Sequence, residues 1–213
     1  MNNGQNFNTD DLKKGAQEAL NDTKKAFKNL DVKNEAKATE NFLKDFAKNP
    51  LTGVLNAVDN GSKNFTLAIV LMVIWIAAVV VRQLIFTLRF RGVGFLSIFQ
   101  AALGPIFTVL ILAGLVVVFT KGKSLTDMIA IVTIAKIPTI VGAVLSILPA
   151  ITITALNLTM PIASYLTHLS VILLFFALRN VFKAPTESKF FMTFVKIYGL
   201  YWVANFILSF LGI

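Results

Sequence analysis

Cysteine is absent from this 213-residue chain. Disulfides, thiol nucleophiles, Cys-ligated zinc and iron–sulfur clusters are thereby excluded. Histidine occurs once, as His168, and a lone imidazole without partner ligands holds no metal. Acid is scarce: nine of the eleven carboxylates fall within residues 1–63, and only Asp127 and Glu187 lie beyond. Between Ile137 and Leu178 there is no charged residue at all, a run of 42 positions. Charged residues make up 15% of the chain, well under the roughly 25% of soluble domains. The G-x-S-x-G, H-E-x-x-H and P-loop motifs are missing, as are paired carboxylates within the apolar segments. Neither catalysis nor a cofactor or metal is expected.

What is present is apolar. Hydrophobic residues make up 56% of the chain and the mean hydropathy is +0.73. A helix rises about 1.5 Å per residue and a bilayer core is about 30 Å thick, so roughly 20 apolar residues cross once. The uncharged run suffices for two crossings, and Pro149 and Pro161 flank a polar-leaning patch (Thr152, Thr154, Asn157, Thr159) where the chain can turn. The expected fold is all-α: a polytopic membrane protein with five transmembrane helices preceded by amphipathic helices.

The 64–213 domain divides into crossings near 64–88, 98–119, 126–148, 160–178 and 190–212. Asn64–Val81 is uncharged and closed by Lys63 and Arg82. Gly104-Pro105 should kink the second helix. After the turn Lys121-Gly122-Lys123, Ser124 stands three residues before Asp127, the spacing of a capped helix start. Lys196 alone interrupts the charge-free last crossing, which carries Tyr198, Tyr201 and Trp202.

Ahead of these lie a polar, partly helical tail (1–48) and an interfacial helix with its turn (49–63). In the tail, Leu12, Ala16, Ala19, Leu20, Phe27 and Leu30, then Ala36, Phe42, Leu43 and Phe46 recur at helical spacing among Lys, Glu, Asp and Asn. Phe42, Leu43 and Phe46 are the strongest candidates for contact with a membrane surface or a partner. Asn49-Pro50 is a good helix start, and Leu51, Val54, Leu55 and Val58 share a face over 50–59. No apolar leader follows Met1, so a cleaved signal peptide is not expected and the first crossing directs insertion.

The excess of base sits at the ends of apolar segments rather than on a soluble face. The pI of 9.9 therefore points to the bilayer and its anionic lipid headgroups as partners, not to nucleic acid. Eight basic residues (Lys44, Lys48, Lys63, Lys121, Lys123, Arg179, Lys183, Lys189) flank the membrane on the side of the tail, against Arg82, Arg89 and Arg91 on the other. This places the N-terminus in the cytoplasm and the C-terminus outside. The three arginines pull the other way locally and are expected to snorkel or lie at the interface.

Lys136 is the most informative residue. It falls mid-way along the third crossing, where a charge costs about 2.5–3.5 kcal/mol on insertion scales. Pro138 follows and frees a backbone carbonyl that an ammonium can bind. Lys136 and Pro138 are the candidate site for a lipid headgroup, a substrate or a partner carboxylate; the bland alternative is an ammonium that steadies a kink. His168 reads as a packed residue bonded to a neighbouring helix. Gln100 and Asn205 read as bridges between helices, and Gly142 with Ser146 as a point of close helix approach.

The stretch TKGKSLTDMIAIVTIAKIPTI at residues 120–140, with its Ala135-Lys136-Ile137-Pro138 element, resembles the centre of the Yip (Ypt-interacting protein) family domain. So does the plan of a cytosolic tail followed by five crossings. The resemblance covers about residues 45–213. Eukaryotic members carry an Asp-Leu-Tyr-Gly-Pro-like stretch before the first crossing, linked to small-GTPase partners; here Lys48-Asn49-Pro50-Leu51-Thr52 stands instead. The Lys- and Asn-rich tail and small size are more like a bacterial member, in the cytoplasmic membrane. The resemblance implies a non-enzymatic protein of membrane organisation or a trafficking-type adaptor, meeting an unidentified partner through residues 10–59. The alternative is a small transporter or permeability factor with a path near Lys136. Whether the chain forms an oligomer stays open.

Overall fold

The computed structural model describes residues 9–28, 32–89, 94, 96–120, 124–152, 155–182 and 186–210, and they are all-helical, with no strand among them. Residues 1–8, Arg91, the Lys121–Lys123 turn and Lys183 lie outside the described residues. Three helices precede the apolar part: α1 (Thr9–Lys28), α2 (Val32–Lys48) and α3 (Pro50–Asp59). A short 3-10 turn, Gly61–Asn64, leads into α4 (Phe65–Arg89) and then α5 (Leu96–Phe119). The next segment is in three pieces, α6 (Leu125–Ala135), α7 (Ile137–Leu145) and α8 (Ile147–Ile151). The long helices α9 (Leu156–Phe182) and α10 (Glu187–Phe210) complete the chain.

Four helices are long and apolar enough to cross a membrane, and the bent α6 to α8 segment makes up to five. α4 and α5 follow the expected boundaries closely. Pro105 interrupts neither the run of α5 nor its assignment as one helix. The helix at the expected fourth crossing begins earlier than 160: Pro161 lies inside α9, and Thr152 O accepts from Ala155 N at 3.2 Å just before it.

α6 is the axis of the molecule. It packs against α1, α3, α4, α5 and α9, and every residue from Met128 to Pro138 is buried. Its start is fixed by a capping box: Ser124 Oγ accepts from Asp127 N at 3.0 Å and the Asp127 carboxylate accepts from Ser124 N. The preceding turn is pressed onto this cap. A Cβ added at Gly61 would stand 2.6 Å from Asp127 Oδ1 and 2.9 Å from its Cβ, so only glycine fits.

The three N-terminal helices fold against this end of the bundle. In α3, Asn49 Oδ1 accepts from Thr52 N at 3.1 Å, with Pro50 in the first turn. Its buried side is Val54, Ala57 and Val58, set against α6 and α9, while Leu51 is exposed. In α2, Thr39 and Phe46 are buried and Phe42 and Leu43 pack on the core, a face at i, i+3, i+4, i+7. In α1, Ala19 is buried, Gly15 sits against Leu125, and Thr126 Oγ1 donates to Asp22 Oδ2 at 3.2 Å. Leu20, by contrast, is 48% exposed. Of the expected stripe Ala19 is thus docked and Leu20 is not, and Gly15 and Asp22 join Ala19 in the contact.

Candidate functional site at the helix break

Pro138 has no N–H to offer the carbonyl one turn back, and its ring crowds that turn, so the α6 helix cannot continue. The chain takes a single non-helical residue, Lys136 (φ −86°, ψ 1°), and resumes as α7. The two parts are bent by 49°. Lys136 N is shared between the carbonyls of Val132 at 3.0 Å and Thr133 at 3.1 Å, while Lys136 O accepts from Ile140 N at 3.0 Å. One residue therefore closes one helix and opens the next.

A break of this kind leaves helix ends without partners, and inside a bilayer no water supplies them. Neighbouring helices do. α7 has no side-chain cap of its own; instead Ser170 Oγ, fully buried on α9, accepts from Thr139 N at 2.9 Å and from Thr139 Oγ1 at 2.8 Å. At the far end of the span, Arg89 of α4 donates through Nη1 to the carbonyls of Ala150 at 3.0 Å and Ile151 at 2.6 Å. A cation at a helix C-terminus also faces the favourable end of its dipole. Gly142 lets α7 and α9 lie close: an added Cβ would be 3.4 Å from Ala163 Cα. Ser146 takes no part in that approach and bonds locally to Ala143 O at 2.6 Å.

Lys136 itself is 4% exposed. Its ammonium lies 5.9 Å from the ring centre of Tyr201 on α10, within range of a cation–π contact. Tyr201 ends a run of touching rings that climbs α9 and α10 through Phe175, Phe194 and Tyr198. Among the described residues no carboxylate meets Lys136. The two acids of the apolar part are engaged elsewhere, Asp127 in the cap and Glu187 in an ion pair with Arg179. The carbonyl contact expected for Lys136 is not made either; the aromatic face takes its place. One turn earlier, the hydroxyl of Thr133 is buried with no hydrogen-bond partner among the described residues. The arrangement places a cation, a ring and a spare hydroxyl at the centre of the bundle.

The remaining intramembrane candidates distribute differently from expectation. His168 is exposed and bonds through Nδ1 to Ser164 O at 2.7 Å, within its own helix; it is not packed on a neighbour. Asn205 likewise donates to Tyr201 O at 2.8 Å on its own helix rather than bridging. Between α4 and α5 a polar bridge is made instead by Gln83, which donates to Ser97 Oγ at 3.0 Å. Gln100 lines an open cavity of about 450 Å³ between α4 and α5, to which Lys136 does not contribute. Compared with known protein families, curated proteins and solved structures, the chain matches none.

Proposed function

We propose that this chain is a non-enzymatic integral membrane protein with five crossings, resembling the Yip family, that organises membrane or recruits a partner through its N-terminal helices. The observation that carries the reading is the seating of α1 on α6: Asp22 on Thr126, Gly15 on Leu125 and Ala19 buried. With α3 packed on α6 and α9, the tail is a preformed cap with charged residues outward, among them Lys13, Lys14, Glu18, Lys24 and Lys25. A rigid charged face presented at a membrane surface suits recognition of a partner better than a loose tail would, because less ordering entropy is lost on binding. On this reading the cap is cytoplasmic, the C-terminus is outside, and the membrane is that of a bacterial cell.

The test is site-specific photo-crosslinking from positions 14 and 24 in native membranes. A discrete protein adduct is expected that disappears when residues 1–48 are removed; a ladder of lipid and random adducts unchanged by undocking α1 would overturn the reading. A second reading as a small transporter draws support from the broken span with its buried Lys136, since discontinuous helices line many transport paths. Solute flux in proteoliposomes that vanishes in Lys136→Ala would favour it.

A further inference from the structure

The cavity between α4 and α5 has a polar end and an apolar end. Arg82, Gln83, Ser97 and Gln100 line one; Trp75, Val79, Ala101, Gly104 and Pro105 line the other, with Thr108 beyond. The order follows from the two helices running antiparallel. Arg82 lies roughly 26 Å along α4 from Phe65, and Gln100 roughly 6 Å along α5 from Leu96, at about 1.5 Å per residue. Both therefore sit near the same membrane boundary. Thr108, roughly 18 Å along α5 by the same rise, is near the bilayer middle. The groove thus has the length and polarity gradient of half a bilayer.

Its charge is one-sided. Arg82 is half-buried and has no carboxylate or hydrogen-bond partner among the described residues. Its neighbour Arg89 differs, being committed to the carbonyls that end α8. Between Asp59 and Asp127 the sequence contains no acid, and none lines the groove. Gln83 and Ser97 are locked to each other and to Gly94 O, which among the described lining residues leaves the Arg82 guanidinium and the Gln100 amide as free donors at the mouth. A cavity of about 450 Å³ is within the roughly 300–1,000 Å³ of ligand sites.

We propose that this groove is a binding site for one anionic phospholipid. Its phosphate lies on Arg82 and Gln100, and an acyl chain runs along Trp75, Val79, Gly104 and Pro105. A guanidinium suits phosphate because it offers parallel N–H donors. With no acid at the mouth, a headgroup that carries its own cation finds no partner, so a net-negative headgroup is preferred. The inference rests on the membrane-embedded reading of α4 and α5 but not on the adaptor role or on the partner of the N-terminal cap.

A side chain can be introduced at Gly104, on the groove wall, since a Cβ there meets nothing within 4 Å. The experiment is native mass spectrometry of the full chain released from detergent, with dioleoylphosphatidylglycerol, dioleoylphosphatidylcholine or glycerol phosphate added. One retained phosphatidylglycerol is expected in preference to phosphatidylcholine. Arg82→Gln should reduce that preference about fivefold, the weight of one basic residue near an anionic surface; Arg82→Lys, which keeps the charge but loses the parallel donors, should keep part of it. Gly104→Leu should lose the retained lipid of either kind. Should Arg82→Gln prove unstable, Gly104→Leu decides alone. Equal retention of phosphatidylglycerol in wild type and Gly104→Leu, or glycerol phosphate bound as firmly as the lipid, would overturn the proposal. Neither outcome touches the crosslinking result for the cap.

Discussion

At the scale of single residues, buried polar groups of the bundle are held by neighbours chosen for geometry rather than charge. Ser170 caps α7 from another helix, a contact with no signature in the sequence around either residue. Ser170→Ala should destabilise the protein by about 1 kcal/mol, the usual weight of an N-cap, read as a lowered Tm in detergent; Ser170→Thr should recover part of it. Lys136 makes the opposite case. Its only partner among the described residues is a ring, and well-packed apolar replacements of buried charge are often neutral or stabilising. Lys136→Met should therefore leave the Tm unchanged or raise it. A sharp fall would show the ammonium to be structural. On the exposed face of α2, Lys44 donates to Glu40 at 2.6 Å and holds its carboxyl below the ordinary carboxylate value. The small stabilisation from that pair is present above the ordinary value and lost as pH falls through the lowered one. A carbon-detected titration of Glu40 should show the shift, and Lys44→Gln should abolish it.

Elements were legible in the sequence wherever one signal dominated. Charge-free runs and Pro, Asn and Ser caps located α3, α4, α5 and the start of α6, because lipid and helix ends impose those patterns locally. Faces were less legible. The sequence stripe of α1 includes Leu20, yet the contacts are made by Gly15, Ala19 and Asp22, since Leu125 comes close to the helix and Thr126 offers a hydroxyl. Likewise α3 turns Ala57 inward in place of Leu51. Such choices belong to the partner helix and cannot be read from periodicity. The candidate site shows the same division. Lys136 and Pro138 stood out as a charge and a helix breaker in an apolar run, whereas Tyr201 and Ser170 join this break only through tertiary packing. The α1 contact can be weighed directly. A double-mutant cycle on Asp22→Ala and Thr126→Val should give a coupling of about 0.5–1.5 kcal/mol, and either change should speed proteolysis between α1 and α2. Gly142→Leu should be worse than both, since it drives a side chain into the backbone of Ala163; loss of monodispersity on gel filtration is the readout.

For the molecule as a whole, the expectation of an odd number of passes is open to a simple check. Reporters fused at Met1 and Ile213 should report opposite faces of the membrane; the same face would rule out five crossings. The architecture also bears on assembly. The guanidinium that ends α4 finds its carbonyls only at Ala150 and Ile151, 61 and 62 positions later in the chain. At about 5–20 residues per second, a nascent chain spends roughly 3–12 s with that arginine stranded at the lipid boundary. During that interval the first hairpin is held by its own packing and the Gln83–Ser97 bond, without the tie to α8. Closure comes when Ala150 and Ile151 emerge, so the Arg89 contact is expected to form late in synthesis. Ribosome-stalling reporters should register a pull at that chain length, and Arg89→Gln should weaken it.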